Sequence, residues 1–133
     1  MSTTVVWKPK PDKHDYPAAS SYLSLISPAI QVHDLVERLK AAPVEHYKAK
    51  DILRASRLAL LPVDNPHVAA DLKKAKKQKA LSPVLIIRGD ITDGVDAQIA
   101  DGYHRVCASY HLDENTDIPC RIVDLGPATA RSR

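Results

Sequence analysis

"PVLIIRGDITDGVDAQIADGYHRVCASY", residues 83–110, decides the fold. It opens on a short, β-branched, unbroken apolar run, which predicts a strand buried on both faces. "ITDGVD" follows, and its Asp93-Gly94 pair is turn chemistry. "AQIAD" then reads as the returning strand. Gly102 interrupts the pattern. Beyond it Tyr103, Val106, Cys107 and Tyr110 recur at i, i+3, i+4, i+7, one face of a helix reaching to about Leu112.

Downstream, "DENTD" is a polar loop, "IPCRIV" a last strand and 126–133 a tail. Upstream, "AADLKKAKKQKAL" predicts a lysine-rich helix and "LPVDNPHV" a loop built on turn residues. "KDILRASRLAL" predicts a helix with Ile52, Leu53 and Leu60 inward, and "VEHYKA" a short strand. Before Pro43, "PAIQVHDLVERLKAA" carries Ile30, Val32, Leu35, Val36 and Leu39 as an apolar stripe. Ser27 is the expected N-cap of that helix, with Pro28 at its first position. "PAASSYLSLIS" reads as a short helix before it. Residues 1–17, rich in Pro and Lys, read as a flexible arm, with Trp7 docking on the domain or a partner, or lying in a loose tail. The expected organisation is the arm, an N-terminal helical pair over 18–43, a small α/β (α+β) domain with a mixed sheet over 44–125, and the tail.

A chain of 133 residues suits one domain with tails. Phe is absent, so the 44% apolar share must build its core from Leu, Ile, Val and Ala. A net charge of +3 lacks the density of an obligate nucleic-acid binder. The basic residues are uneven, however, with five lysines between Lys73 and Lys79. The two cysteines, Cys107 and Cys120, form no CxxC pair and no zinc spacing, which predicts a reduced, cytoplasmic protein. No run approaches the ~20 apolar residues needed to cross a bilayer, and the N-terminus lacks a signal-peptide core.

The chemistry gathers at the Gly102 turn. A helix start exposes unpaired N–H groups and carries partial positive charge. Glycine lets a ligand approach the backbone. Arg105 offers a planar donor fork and His104 a further donor. Together they suit phosphate oxygens, although an ordinary strand–helix connection with solvated His104 and Arg105 fits the same spacing. Asp101 reads either as an N-cap, as a Mg²⁺ ligand on a nucleotide, or as the base for an attacking hydroxyl. Lys73, Lys74, Lys76 and Lys77 go round their helix, as a solvated surface or as sequence-blind contacts to a nucleic-acid backbone. His104 and His111 lie two turns apart, roughly 10 Å, too far to share a metal.

From Val44 to Asp124 the chain resembles the ParB/sulfiredoxin-like superfamily. "AQIADGYHRVCASY" followed by "DIPCRIVDL" is similar to that family's strand, Gly-x-x-Arg turn, helix and closing strand. "DNPHV" is similar to its Asn-Pro loop, and "SPVLIIRG" to its Pro-led strand. The resemblance implies a pocket for ATP or CTP. Gly102, Tyr103, His104 and Arg105 would hold phosphates, and Asn65 and His67 would face them. Tyr103 stands where sulfiredoxins carry a cysteine, so sulfinic-acid repair is not expected. Cys107, one turn on, is expected in the core. The ten residues after Val123 leave no room for the helix-turn-helix and dimerisation segments of partitioning proteins. The Asp-Gly-x-His-Arg form resembles the branch that contains a free-serine kinase.

These readings predict a nucleotide-binding protein that acts as an ATP- or CTP-dependent phosphotransferase or nucleotide hydrolase. Asp101 and His104 would be its catalytic groups, Mg²⁺ a cofactor held by Asp101, and a small molecule the acceptor. A non-catalytic nucleotide-sensing or DNA-associated adaptor is the alternative, and a ParB-like nuclease the third reading, without a supporting carboxylate cluster in the sequence. No membrane partner is expected. The apolar stripes of the N-terminal helices could face the domain or join two copies as a homodimer.

Overall fold

The computed structural model describes residues 3–126, which form five helices and four strands. In chain order these are α1 (Asp15–Leu23), α2 (Ala29–Ala41), β1 (Val44–Lys48), α3 (Ala49–Ser56), α4 (Pro66–Lys76), β2 (Val84–Ile87), β3 (Gln98–Asp101), α5 (Tyr103–Leu112) and β4 (Asp117–Val123). The expected tail lies outside the described residues from 127 onward. No described helix is long and apolar enough to cross a membrane.

The sheet is mixed, in the order β1-β4-β2-β3. β4 runs antiparallel to β1 and parallel to β2, while β3 returns antiparallel to β2. All four residues of β2 are buried, because helices cover both faces of the sheet. Val84 and Ile86 join one core with Ile52, Leu53, Val68, Val106 and Cys107, beneath α3, α4 and α5. Leu85 and Ile87 point the other way, into a core with Leu23, Val32, Leu35 and Leu39 of α1 and α2. This is the period-2 alternation of a strand, with an apolar partner on each side. Pro119 sits in the central strand β4, where proline is rare. The β2 pairing begins only at Cys120, so Pro119 has a strand partner on the β1 side alone.

The N-terminal helices therefore turn their apolar stripes onto the sheet of their own chain. Three details differ from the pattern read in the sequence. Pro28, not Ser27, is the N-cap of α2, with extended backbone at ψ 157°. Ile30 is 83% exposed, because the first turn of α2 overhangs the core. Leu60 is 39% exposed, because α3 stops at Ser56 and Arg57 turns the chain with φ 56°. The arm, in turn, is tied down in part. Leu81 donates its N–H to Val6 O at 2.9 Å and accepts from Lys8 N at 2.8 Å. Trp7 packs beside the α3–α5 core, and α1 begins at Asp15.

Candidate functional site

The register of β3 sets the direction of Asp101. Ile99 pairs with Ile86, but Asp101 pairs with Leu85, so Ala100 is an extra residue at a bulge. Leu85 belongs to the α1 side of the sheet. The bulge thus carries the Asp101 carboxylate toward α1, a way of re-aiming a side chain that bulges permit. There it meets Asp15, whose side chain is 3% exposed.

Gly102 follows at φ +113° and is the N-cap of α5, with no side chain capping it. A Cβ there would come within 2.8 Å of Val84 Cγ2 and 2.9 Å of an Arg105 terminal nitrogen. The glycine is required twice over: for its backbone angle and for the guanidinium folded across it.

Arg105 is the centre of the site. Its Nη2 donates to Asp101 Oδ2 at 3.2 Å and to Pro83 O at 3.3 Å, and lies 4.0 Å from Asp15 Oδ2. Its Nε is buried without a hydrogen-bond partner. The guanidinium is held between carboxylates, and the Tyr103 hydroxyl is committed to Ala59 O at 2.5 Å.

His104 is where the sequence placed it, with His67 opposite at 4.7 Å between ring centroids. The Asn-Pro loop does face the turn, as expected of His67. Asn65, however, directs its carboxamide oxygen into its own helix, accepting from His67 N at 3.0 Å and Val68 N at 3.2 Å. It is the N-cap of α4, with Pro66 at the first position. Burial lowers the His104 imidazole below its ordinary 6.5, and the charge of His67 adds to that. Burial raises the Asp101 carboxyl above 3.8, with Arg105 opposing and Asp15 reinforcing.

Nothing local in the sequence marks Asp15 or Asp71 as part of the site. Asp71 on α4 interacts electrostatically with Arg105, His104, His67 and Lys74, and burial raises its carboxyl. One guanidinium thus stands among three carboxylates, those of Asp15, Asp71 and Asp101. A bare anion meets net negative charge here, whereas an anion accompanied by a divalent cation does not. The oxygen donors of Asp101 and Asp15 suit Mg²⁺.

A second missed group is local. Ligand atoms of Asp12, His14 and Asp15 lie within 4.8 Å of one another, a spacing that could hold a metal. Lys8 Nζ already bridges both Asp12 oxygens at 2.9 and 3.0 Å, which supplies the positive charge from within the chain.

The lysines are exposed, Lys73, Lys74 and Lys76 on α4 and Lys77 at its C-cap. Lys73, Lys76 and Lys77 share one face and line a shallow cleft with Val63, Ala69 and Leu72, so three of the four do form a stripe. Cys107 is fully buried, and burial raises its thiol. A separate cavity of about 610 Å³ opens at the other end of β3 and shares no residue with the Gly102 turn. Comparison with protein-family models, curated proteins and solved structures finds no match to this chain.

Proposed function

We propose that the chain is a ParB/sulfiredoxin-like protein that binds the Mg²⁺ complex of ATP or CTP at the Gly102 turn, as a phosphotransferase or nucleotide hydrolase. One observation carries the reading: a buried Arg105 Nε without a partner, at an uncapped helix start, beside a carboxylate. Phosphate oxygens would give that donor an acceptor, and the free amides of the first turn would add to it. Asp101 is the residue for the metal, or for a proton taken from an acceptor hydroxyl. Its raised pKa makes it a better base than an ordinary aspartate. His104, held neutral, can donate or accept a hydrogen bond without adding charge.

Thermal unfolding with ATP, CTP or ADP, each with and without Mg²⁺, tests the reading. The expected result is a rise in Tm only when nucleotide and Mg²⁺ are both present. Asp101→Asn removes one negative charge and is expected to relax that dependence on Mg²⁺. No rise with any combination refutes the proposal. A phosphotransferase releases ADP only with its acceptor present, a hydrolase without one, and an adaptor binds with no turnover.

The DNA-associated reading rests on a different feature, the Lys73, Lys76 and Lys77 face beside Leu72 and Val63. It predicts duplex binding whose log–log salt slope falls by about 2 in Lys73→Glu/Lys77→Glu, near 0.9 per phosphate contact. A nuclease has the least support: in the group of Asp12, His14 and Asp15, Asp12 is already paired with Lys8.

A further inference from the structure

α4 carries two stripes. Val68 and Ala75 are fully buried, where the helix packs on α5. Beside them Ala69, Leu72, Lys73 and Lys76, continued by Lys77 at the C-cap, recur at i, i+3, i+4, i+7 and i+8. This second stripe lines a cleft of about 410 Å³, and Val63 from the loop before α4 completes the lining. The floor is apolar and the charge is of one sign.

Among the described residues, no acidic group lines this cleft. Asp64, the neighbour of Val63 in the chain, stays outside the lining. Asp71 lies on the other flank of the buried stripe, in the field of Arg105 and His104. The lysines in ion pairs are Lys8 and Lys40, so among the described residues Lys73, Lys76 and Lys77 have no carboxylate partner. Their place at the C-terminal end of α4 suits the helix dipole. The dipole gives no reason for Val63, 54% exposed, and half-buried Leu72 to lie beside them.

We infer that this cleft binds an acidic amphipathic segment of a partner protein. An apolar side chain of the segment sits on Val63, Ala69 and Leu72, and its carboxylates meet Lys73, Lys76 and Lys77. A nucleic-acid duplex offers phosphates to the same lysines but brings no apolar group to the floor. An anionic bilayer takes up apolar side chains that project past the cations, whereas here Leu72 is half-buried and the lysines are exposed. The cleft shares no lining residue with the Gly102 turn, so failure at one site leaves the other standing.

The probe is a fluorescein-labelled helical peptide of about twelve residues, glutamate with leucine at every third or fourth position. One control peptide replaces the leucines by serine, the other the glutamates by glutamine. Fluorescence anisotropy with the native chain should show saturable binding of the probe, weakened about 10-fold in either control. Amide NMR shifts on titration should gather at residues 63–77. Lys73→Gln/Lys76→Gln/Lys77→Gln removes three exposed charges and keeps good helix formers. It should weaken the probe about 10-fold, near twofold for each exposed charge pair. Lys10→Gln/Lys48→Gln/Lys50→Gln, equal in net charge and outside the cleft, should leave binding unchanged. Val63→Ser should weaken the probe about 5-fold. An unchanged urea midpoint verifies the fold of each variant.

Absence of saturable binding below ~1 mM peptide overturns the inference. Equal weakening by the two lysine triples, or amide shifts centred elsewhere, overturns the location. Equal affinity for the serine control overturns the role of the apolar floor. Tighter binding of a short DNA duplex, or of phosphatidylserine vesicles, than of the probe overturns the peptide as occupant.

Discussion

Replacing Gly102 by alanine tests the geometry of the turn most directly. At φ +113° a residue with a Cβ is strained, at about 1–2 kcal/mol for left-handed backbone. The new methyl would also lie 2.8 and 3.1 Å from the two methyls of Val84, which is fully buried in the core. Overpacking of that kind costs about 1–3 kcal/mol. The Arg105 nitrogen at 2.9 Å is the end of a flexible chain and can move, but only by leaving Asp101 and Pro83. Together these give a loss of about 2–5 kcal/mol, and a fall in Tm of about 10 °C for a domain of this size. Gly94→Ala is the matched control. Gly94 has φ +67° and nothing within 4 Å of a Cβ, so only the backbone cost of about 1 kcal/mol applies. Urea unfolding of both variants separates the two contributions. Equal losses, or less than about 1 kcal/mol at Gly102, would refute the claim that the turn is packed against Val84 and Arg105.

Other outcomes follow from the protonation of the site. By NMR, the His104 imidazole should titrate below 6.5, so its neutral form contributes stability above that pH, lost as pH falls through the lowered value. His67→Ala should move the midpoint upward yet keep it below 6.5, because burial is the larger cause. The raised Asp101 carboxyl works in the opposite sense. Its contribution is full below 3.8 and is lost as pH rises through the raised value, so Asp101→Asn should show a smaller drop in urea midpoint over that rise. Cys120, pushed up to about 12, and buried Cys107 should both resist a thiol reagent in the native protein and react fully in urea.

The strands and the turn were legible because their signals are local. An unbroken apolar run at 84–87, a glycine after Asp101 and a helical repeat at Tyr103, Val106, Cys107 and Tyr110 each lie within a few residues. What went unread depends on distant partners. The Asp15–Arg105 contact joins residues far apart in the chain, and nothing near Asp15 marks it as buried. The bulge at Ala100, which turns Asp101 toward Asp15, leaves no trace in composition. Leu60 was misplaced because the left-handed stop of α3 falls on Arg57, a residue type that carries no stop signal. Ile30 fits the helical stripe by spacing, but the stripe extends further than the core beneath it.

The position of β4 bears on how the chain assembles as it is made. It is the last strand in the described sequence, yet it lies between β1 and β2 and is the only link between them. Until it leaves the ribosome, β2 and β3 can form their hairpin, but β1 has no neighbour. Most long-range pairing must therefore await the emergence of β4, and folding is expected to be slow for a domain of this size. In the interval the exposed flanks of β1 and β2 are open to strands of other molecules, a hazard that a holding chaperone would relieve.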